Sequence, residues 1–503
     1  MMLWFCPTTL HQESHNGSAQ KRQSSKRRQA QHKRQQKKSQ HDKRERLKRR
    51  NAARKKTSAA RVPLIGMMQT MVATIQGLMD RRIAFRLSII VAGMLLADGR
   101  RTASSWFGAA GVQQDWDRFY DCLISVGRTT AKLATALLGL IVQQLVPGDR
   151  ILLGIDDSPT SRYGQHVEGA GVHHHPTPGP ADGEWLYGHN WVTLAWLANH
   201  PCWGVIALPL RSLLYVRQVD VDKLVEKYDW EFRTKHQLGV ELMTWVVKKL
   251  KALGVKAKVW LVVDGAYAAQ PFLKPLLELD VVVVSRLRKD AHLLDLPAKR
   301  QPGQRGRPRL YGTNKLSLEK RAVHKQGWQT ITYNNRGVEV TRQYKTFLAT
   351  SRLVRGKIRV VIVRYDDGGW APYFCTDSSA EVRDILEAVA ARWAIEEQFH
   401  DVKEVWGAGQ QQVRNIWSNI GCWNLNGWLY TLVELCSWKI EKEELSDRSD
   451  RPWDNPARRP SHADRRRFIS RKMLQNHFLV ALHSKPDKHK LRILIQDLIA
   501  LAA

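Results

Sequence analysis

The chain has 503 residues, with 80 Lys and Arg against 47 Asp and Glu and a formal net charge of +33. Its 43% hydrophobic residues can fill ordinary cores, and at about 150 residues per domain the length suggests roughly three units. So large a cationic excess exceeds what solubility requires and points to a polyanionic partner, nucleic acid first. The longest apolar runs, around Leu87–Ala97 and Leu133–Val146, fall short of the roughly 18 residues of a spanning helix. Met1–Leu10 is apolar but lacks the flanks of a signal peptide. The expectation is a chain with no membrane association, cytoplasmic and DNA-associated, or nuclear in a host with a nucleus. Cys6, Cys122, Cys202, Cys375, Cys422 and Cys436 form no C-x-x-C pair, which argues against a zinc ribbon or disulfide framework and predicts reduced, mostly buried thiols.

Residues 1–61 read as a disordered basic arm. Between Lys21 and Lys56 stand 18 Lys and Arg against Asp42 and Glu45, with almost nothing apolar to bury. Residues 62–149 are helical in pattern: Met67–Leu78, Arg86–Leu96, Ser104–Phe107, and Trp116–Val126 leading into Thr129–Val146. The stretch Gly99 to Trp106, followed by Gly108 and Gly111, has the outline of a helix-turn-helix, with Arg100 and Arg101 suited to DNA; a plain helical bundle is the alternative. At Arg150 the period changes. Ile151–Ile155, Trp191–Leu197 and Trp203–Leu210 predict three strands, Glu231–Leu253 a long helix, Lys258–Val263 a strand, Ala268–Leu279 a helix and Val281–Ser285 a strand. Three strands, a helix, then strand-helix-strand is the order of an α/β, ribonuclease-H-like core, here spanning 150–287.

Residues 288–376 read as a β-rich insertion with strands at Thr330–Tyr333, Val338–Thr341, Thr346–Thr350, Ile358–Tyr365 and Ala371–Cys375. Asn334-Asn335-Arg336-Gly337 and Asp366-Asp367-Gly368-Gly369 mark turns. Helical pattern resumes after Ser378, which with Glu381 suggests a capping box. Residues 377–438 are the second part of the core. Residues 439–503 form a basic helical region with a loop at about Ser446–Ala463.

Asp156 ends the first core strand in Ile155-Asp156-Asp157-Ser158, and Asp264 ends the fourth in Val262-Val263-Asp264-Gly265. Each by itself is commonly just a first loop residue. Together, at the carboxyl edges of neighbouring strands, they offer the hard oxygen donors that Mg²⁺ or Mn²⁺ prefers. Two such ions roughly 3.5–4 Å apart can activate an attacking oxygen and stabilise a leaving oxygen at a phosphodiester. On the later helix Arg392, Glu396, Phe399 and Lys403 recur at i, i+4, i+7 and i+11, one face. A cation, a carboxylate and a second cation along one stripe suit a metal and two phosphates; the plainer reading is a solvated Arg–Glu pair.

The run Ala391-Arg392-Trp393-Ala394-Ile395-Glu396-Glu397-Gln398-Phe399, continued by Asp401-Val402-Lys403, resembles the DDE transposases of bacterial insertion sequences, in the group whose third acid lies in a Y-(2)-R-(3)-E-(6)-K signature. Arg392, Glu396 and Lys403 match its R, E and K, and the spacing selects Glu396 over Glu397, which points about 100° away. Val389 stands at the tyrosine position, a departure. The resemblance covers about Ile151 to Trp438. It implies Asp156, Asp264 and Glu396 as a triad holding two Mg²⁺ or Mn²⁺ ions, with Arg392 and Lys403 on phosphates. Asp156 is preferred because the family pattern is Asp, any residue, then Ser or Thr; Asp157 is its rival. It further implies that 62–149 binds the inverted-repeat ends of a mobile element, that a homodimer or higher synaptic complex assembles, and that ends are cut and joined to target DNA, cut-and-paste, through a hairpin or another route. Two other functions fit the same residues: a ribonuclease-H-like nuclease of other specificity, such as a resolvase, or a catalytically silent DNA-binding protein derived from a transposase.

Three further features stand apart. His173, His174 and His175, with His189 nearby, offer imidazoles, but the surrounding Gly/Pro loop reads as an active-site mouth or DNA contact rather than a zinc site. Gln304-Arg305-Gly306-Arg307-Pro308-Arg309 is similar to an AT-hook core, in which Arg305, Arg307 and Arg309 enter a minor groove; the alternative is a basic surface loop. Among 19 tryptophans, Trp393 is the candidate base-stacking wedge because it adjoins Arg392.

Overall fold

The computed structural model describes residues 62–446, apart from 176–177, 179–182 and 302–303, and residues 453–483 apart from 456, with 41, 42, 45, 491, 492, 494 and 495 as isolated positions. The basic arm expected over 1–61 lies, but for three positions, outside the described residues, as do part of the Gly/Pro stretch after His175 and much of the chain beyond 446. The chain divides after Ala59, and Ala60–Ala503 is the unit that carries the sheet.

The first elements are α1 (Gly66–Gln76), α2 (Arg81–Leu96), α3 (Ala103–Ala109), α4 (Trp116–Arg128) and α5 (Thr130–Leu145). Asp80 caps α2 by accepting from the Arg82 N–H, and Thr102 caps α3 by accepting from the Ser105 N–H. Among the described residues no single helix is long and apolar enough to cross a membrane; α4 and α5 reach that length only as a pair bent by 75°.

Four strands follow: β1 (Arg150–Ser161), β2 (Gly171–His174), β3 (Trp185–His200) and β4 (Gly204–Tyr215). β3 runs antiparallel to β1, β2 and β4. Next come α6 (Gln218–Tyr228) and α7 (Lys235–Ala252), then β5 (Lys258–Val263), parallel to β1. After a 3₁₀ turn at Gly265–Tyr267 and α8 (Gln270–Glu278), β6 (Val282–Arg286) adds parallel to β5. The order β4-β3-β1-β5-β6, antiparallel on one side of β1 and parallel on the other, is a ribonuclease-H-like core in a mixed α/β fold.

The inserted segment holds β7 (Leu293–Leu294), β8 (Lys315–Leu316), α9 (Leu318–Val323), β9 (Gln329–Asn335), β10 (Val338–Ser351), β11 (Gly356–Arg364) and β12 (Trp370–Cys375). These strands form no second sheet. β12 pairs antiparallel with β6, Cys375 opposite Val284, so the insertion lengthens the core sheet to twelve strands.

The chain then forms α10 (Val382–Ala391), α11 (Trp393–Glu404), α12 (Ile416–Ser437), α13 (Lys442–Leu445) and α14 (His462–His483). α12 is mainly apolar and buried on all sides along nearly its whole length, as a central helix must be, and its buried Asn419, Asn424 and Asn426 donate to the carbonyls four residues before them. It lies between β4 and the helical layer of α1, α4, α5 and α14. On the sheet side, Pro209 accompanies a bulge in β4, and the carbonyls left over are taken by α12: Trp428 Nε1 donates to Leu210 O at 2.7 Å and the Thr431 hydroxyl to Pro209 O at 2.9 Å. On the other side α4 and α12 cross at glycines. A Cβ on Gly127 would lie 1.8 Å from Trp417 O, and one on Gly421 would lie 2.2 Å from Leu123 O.

Several elements differ from the sequence reading. The helix expected over Glu231–Leu253 is α7, which starts later, at Lys235, behind a capping box of Thr234 and Gln237; α6, which ends where Asp229 turns to φ 51°, is a further helix that the sequence reading did not predict. Strands β1, β3 and β4 outrun their apolar cores because ladder hydrogen bonds continue through polar residues. The Ser378–Glu381 box does not form; Asp377 accepts from the Ser379 N–H instead, and α10 starts one residue after Glu381 without a side-chain cap. The segment read as a helix-turn-helix belongs to the helical layer. α3 has seven residues with Trp106 and Phe107 fully buried, and α4, where a recognition helix would stand, is fixed to α12 and exposes Asp117 and Asp121. Of the described cysteines, Cys122, Cys375 and Cys422 are buried, Cys436 is half-buried and Cys202 is exposed.

Candidate active site

Where β1 and β5 run side by side, their last paired residues are Ile155 and Val263. The next residue on each is an aspartate, Asp156 and Asp264, so the two carboxylates leave neighbouring strands at one level. Asp264 ends its strand by capping the 3₁₀ turn: its Oδ1 accepts from the Ala266 and Tyr267 N–H groups at 3.0 and 3.3 Å. Ser285 of β6 supports its backbone, donating to Asp264 O at 2.8 Å.

Helix α11 closes on the same face of β1. Gly154 makes room, since a Cβ there would lie 2.3 Å from Ile395 Cδ1. Strand alternation puts Asp156, two residues on, toward α11 as well. There Arg392 bridges two acids, with Nη1 donating to Asp156 Oδ2 at 2.9 Å and Nη2 to Glu396 Oε1 at 2.7 Å. Asp157 points to the opposite face. It is held there by Lys235 Nζ of α7 at 2.6 Å and by the Tyr267 hydroxyl at 3.4 Å. Burial pushes the Asp156 carboxyl up to about 7; Arg392 and the Asp157 N–H pull it down, and the charges of Asp264 and Asp157 add to the rise. Tyr267 is driven well above the ordinary phenol value by burial and by the charges of Asp157, Asp156 and Asp264, and stays a donor.

The helix carrying this stripe is interrupted. Arg392 is a turn residue between α10 and α11, yet its αR conformation (φ −55°, ψ −33°) keeps the chain winding, so Arg392, Glu396, Phe399 and Lys403 still share a face. All four line one groove of about 1470 Å³ together with Asp156, Asp157, Asp264 and Arg100. Burial lowers Lys403 to about 8, with Glu404 opposing. Val389, at the signature's tyrosine position, is half-buried against the core.

The remaining expected site residues divide. Arg100 is exposed in the groove, whereas Arg101 is tied into the structure: its N–H donates to Gln410 Oε1 at 2.8 Å, its Nη1 donates to Gly99 O at 3.1 Å, and its carbonyl accepts from Gln411 Nε2. Arg305, Arg307 and Arg309 are exposed on an irregular loop that does not line the groove. Trp393 does not line it either; 37% exposed, it faces other clefts, with the Arg336 guanidinium 4.0 Å from its ring centroid. The histidines do not converge. His173 is buried and His174 exposed on opposite faces of β2, His175 lines the groove, and His189 is a buried neutral imidazole. Its Nδ1 accepts from Arg162 Nε at 3.1 Å and its Nε2–H donates to Glu168 O at 3.0 Å. Burial, then Arg162, lowers it to about 3.

Sequence reasoning missed Arg162 and Arg414, which line the groove, and Lys235, which fixes Asp157. No local pattern marks them; each reaches the site through tertiary contacts. Arg162 follows β1 and binds the carbonyls of Gly409 and Gln411, joining the sheet to the loop after α11.

The donor set is all carboxylate oxygen, suited to a hard divalent cation. Burial first, and the charges of Asp264 and Asp157 after it, hold Asp156 near 7, an environment whose cost to the carboxylate a bound cation would offset. Among the described residues no three His, Cys, Asp or Glu side chains stand close enough to grip one ion, and Arg392 occupies the space between Asp156 and Glu396.

A ribonuclease-H-like sheet with aspartates on neighbouring parallel strands is the architecture of a DDE-type nuclease. The chain belongs to the DDE superfamily endonucleases, whose family model matches residues 75–346, more than half of its length. The matched span contains Asp156 and Asp264 and ends before Glu396. Members of this superfamily generally use divalent metal ions. A structural match covers 84% of this chain and 79% of the chain of a piggyBac transposase in a synaptic complex with hairpin DNA, at 10% sequence identity and a TM-score of 0.34, a likeness too distant to bear on activity. No curated protein matches the chain.

Proposed function

We propose that this endonuclease-family chain is a transposase of the Y-R-E-K group found in bacterial insertion sequences, which binds the inverted-repeat ends of its mobile element, cleaves them and joins the freed 3′ ends to target DNA. One observation carries the reading. Asp156 and Asp264, level on adjacent parallel strands, share a groove with Glu396 and with Arg100, Arg162, Arg392, Lys403 and Arg414, so carboxylates and cations alternate along one surface. The face that Asp156 shares with α11 favours it over Asp157 as the first acid.

In this reading Asp156, Asp264 and Glu396 would hold two divalent ions, Mg²⁺ or Mn²⁺, once Arg392 moves aside, and the ions would supply activation of the attacking oxygen and neutralisation of the leaving oxygen. Arg392 and Lys403 bind phosphate oxygens of the scissile strand. A phosphate that draws the Arg392 guanidinium toward itself releases Asp156 and Glu396 from their shared partner. Water attacks phosphorus at the element end and expels the 3′-oxygen as a free 3′-hydroxyl; that hydroxyl then attacks a target-strand phosphorus and expels the target's 3′-oxygen, and no covalent bond to the protein forms. Residues 62–149 contribute Arg100 to the end-binding surface, the arm of 1–61 adds sequence-independent phosphate contacts, and Arg305, Arg307 and Arg309 reach DNA outside the groove. The chain works DNA-associated, as a homodimer or higher synaptic complex.

The test supplies purified protein, Mg²⁺ and labelled duplex from the DNA flanking the gene, comparing the wild type with Asp264→Ala. Cleavage and joining by the wild type alone is expected. Binding without cleavage by the wild type refutes the enzymatic reading, and equal cleavage by both proteins refutes the triad.

A further inference from the structure

We infer that the β9–β10 hairpin of the insertion is a clamp on the junction between α10 and α11, with Arg336 as its positioning residue for Arg392 and Glu396. This rests on the reading of Glu396 as a site residue. The junction is where a clamp acts on the site, because regular helix gives way to a turn at Arg392, whose N–H still reaches Ala388 O at 3.3 Å, and Arg392 is the residue that must reach Asp156 and Glu396 at once.

The hairpin grips both sides of that interruption. On the α10 side, Arg383 Nε and Nη2 donate to Thr332 O at 3.2 and 2.8 Å, and the Asn334 N–H donates to Glu387 Oε1 at 3.3 Å. On the α11 side, Arg336 lies over the ring of Trp393, the first residue of the helix. The hairpin tip is itself backed by the β3–β4 turn, where a Cβ on Gly204 would lie 3.5 Å from Gly337 N.

The choice of residue at 336 supports a role beyond turning the chain. Arg336 has φ 58° and Gly337 φ 87°, both left-handed, as a two-residue type I′ turn requires. Asn or Gly fills the first such position with least strain; an arginine there is disfavoured. What arginine adds is a guanidinium long enough to stack on Trp393. A strained backbone at a position where the side chain makes a specific contact is the pattern of a residue kept for its position.

The decisive variant is Arg336→Asn, which suits the turn better and removes the cation. In the full-length chain, amide hydrogen exchange across 392–397 should speed up about two- to five-fold, the size of one exposed cation–π contact. Arg336→Lys, which keeps a cation, should exchange more nearly as the wild type does. With supercoiled plasmid carrying the DNA that flanks the gene, and Mg²⁺, as the probe, kcat for nicking should fall by a similar factor at unchanged KM. In a Trp393→Leu background, Arg336→Asn should have no further effect. Unchanged exchange over 392–397 in Arg336→Asn, or an equal effect in the Trp393→Leu background, overturns the clamp. If the wild type does not nick DNA at all, the nuclease reading fails while the exchange comparison still decides the clamp.

Discussion

Replacing Glu434 by alanine should destabilise the protein by about 3–5 kcal/mol, the range for removing one partner of a buried ion pair. Glu434 lies on α12, with 1% of its side chain exposed, and its Oε1 receives His462 Nδ1 at 2.6 Å and Arg465 Nη1 at 3.3 Å from α14. His462 is in its neutral Nδ1–H form, because its Nε2 accepts from the donor-only Trp406 Nε1 at 2.7 Å. The charge of Glu434 is therefore balanced by Arg465 alone among its direct partners. Arg465 is 1% exposed, and among the described residues its Nε and Nη2 have no hydrogen-bond partner, so without Glu434 the guanidinium keeps, of these contacts, the face of Trp203, 4.3 Å away. That stacking, worth about 2 kcal/mol when desolvated, does not offset a buried unpaired cation. Burial alone would raise the Glu434 carboxyl, but Arg465 and the His462 hydrogen bond outweigh it and hold it at about 2. A carboxyl depressed below its ordinary 4.5 contributes in full above that pH and loses its contribution as the pH falls toward 2. Urea unfolding followed by far-UV circular dichroism, for Glu434→Ala, Arg465→Met and the double variant Glu434→Leu/Arg465→Met, measures the effect. The double variant should be more stable than Glu434→Ala. A cost below about 1 kcal/mol for Glu434→Ala, or a double variant as unstable as the two singles summed, would refute the assignment of Arg465 as a cation dependent on this carboxylate.

Three further outcomes follow from the same structure. Gly421→Ala should gain about 1 kcal/mol of helix propensity yet lose more to overpacking against Leu123 O, for a net cost of about 1–2 kcal/mol; Gly139→Ala on α5, with nothing within 4 Å of its Cβ, should instead stabilise, and chemical denaturation separates the two. Because burial lowers Lys403 to about 8 from the ordinary 10.5, the fold disfavours its charged form, a cost present below about pH 8 and relieved toward 10.5. The phosphate interaction works in the opposite sense, so DNA affinity should fall as the pH rises through 8, and fluorescence anisotropy with Lys403→Arg should show that fall abolished. Deleting residues 1–61 should flatten the salt dependence of DNA binding by about 0.9 log units for each phosphate that the arm neutralises, with cleavage at saturating DNA unchanged; an inability to cleave there would place the arm in the active assembly.

Much of the site is legible in the sequence because its chemistry is written in local order. Asp156 and Asp264 follow apolar strand runs, and Arg392, Glu396 and Lys403 keep helical spacing, so period and residue type point to them directly. Asp156 and Asp157 are rivals in the sequence because adjacent strand residues differ only in the face they take. That face is set by α11 on one side and α7 on the other. The separate helix α6, ended by a left-handed turn at Asp229, and Arg101 turned inward beside Arg100 are illegible for a related reason: each depends on a partner hundreds of residues away or on a backbone turn that composition does not mark.

By itself the sequence determined the net charge of the chain, the α/β order of elements and the candidate acids, since net charge, hydrophobic period and residue chemistry are properties of the chain read in one dimension. Only the tertiary structure decided that the inserted strands lengthen the core sheet, that α4 and α12 meet through glycines, and that Arg392 binds Asp156 and Glu396 at once. Strand pairing, close helix crossing and shared ion pairs join distant residues, and their energy comes from burial and geometry that exist only after the chain has folded.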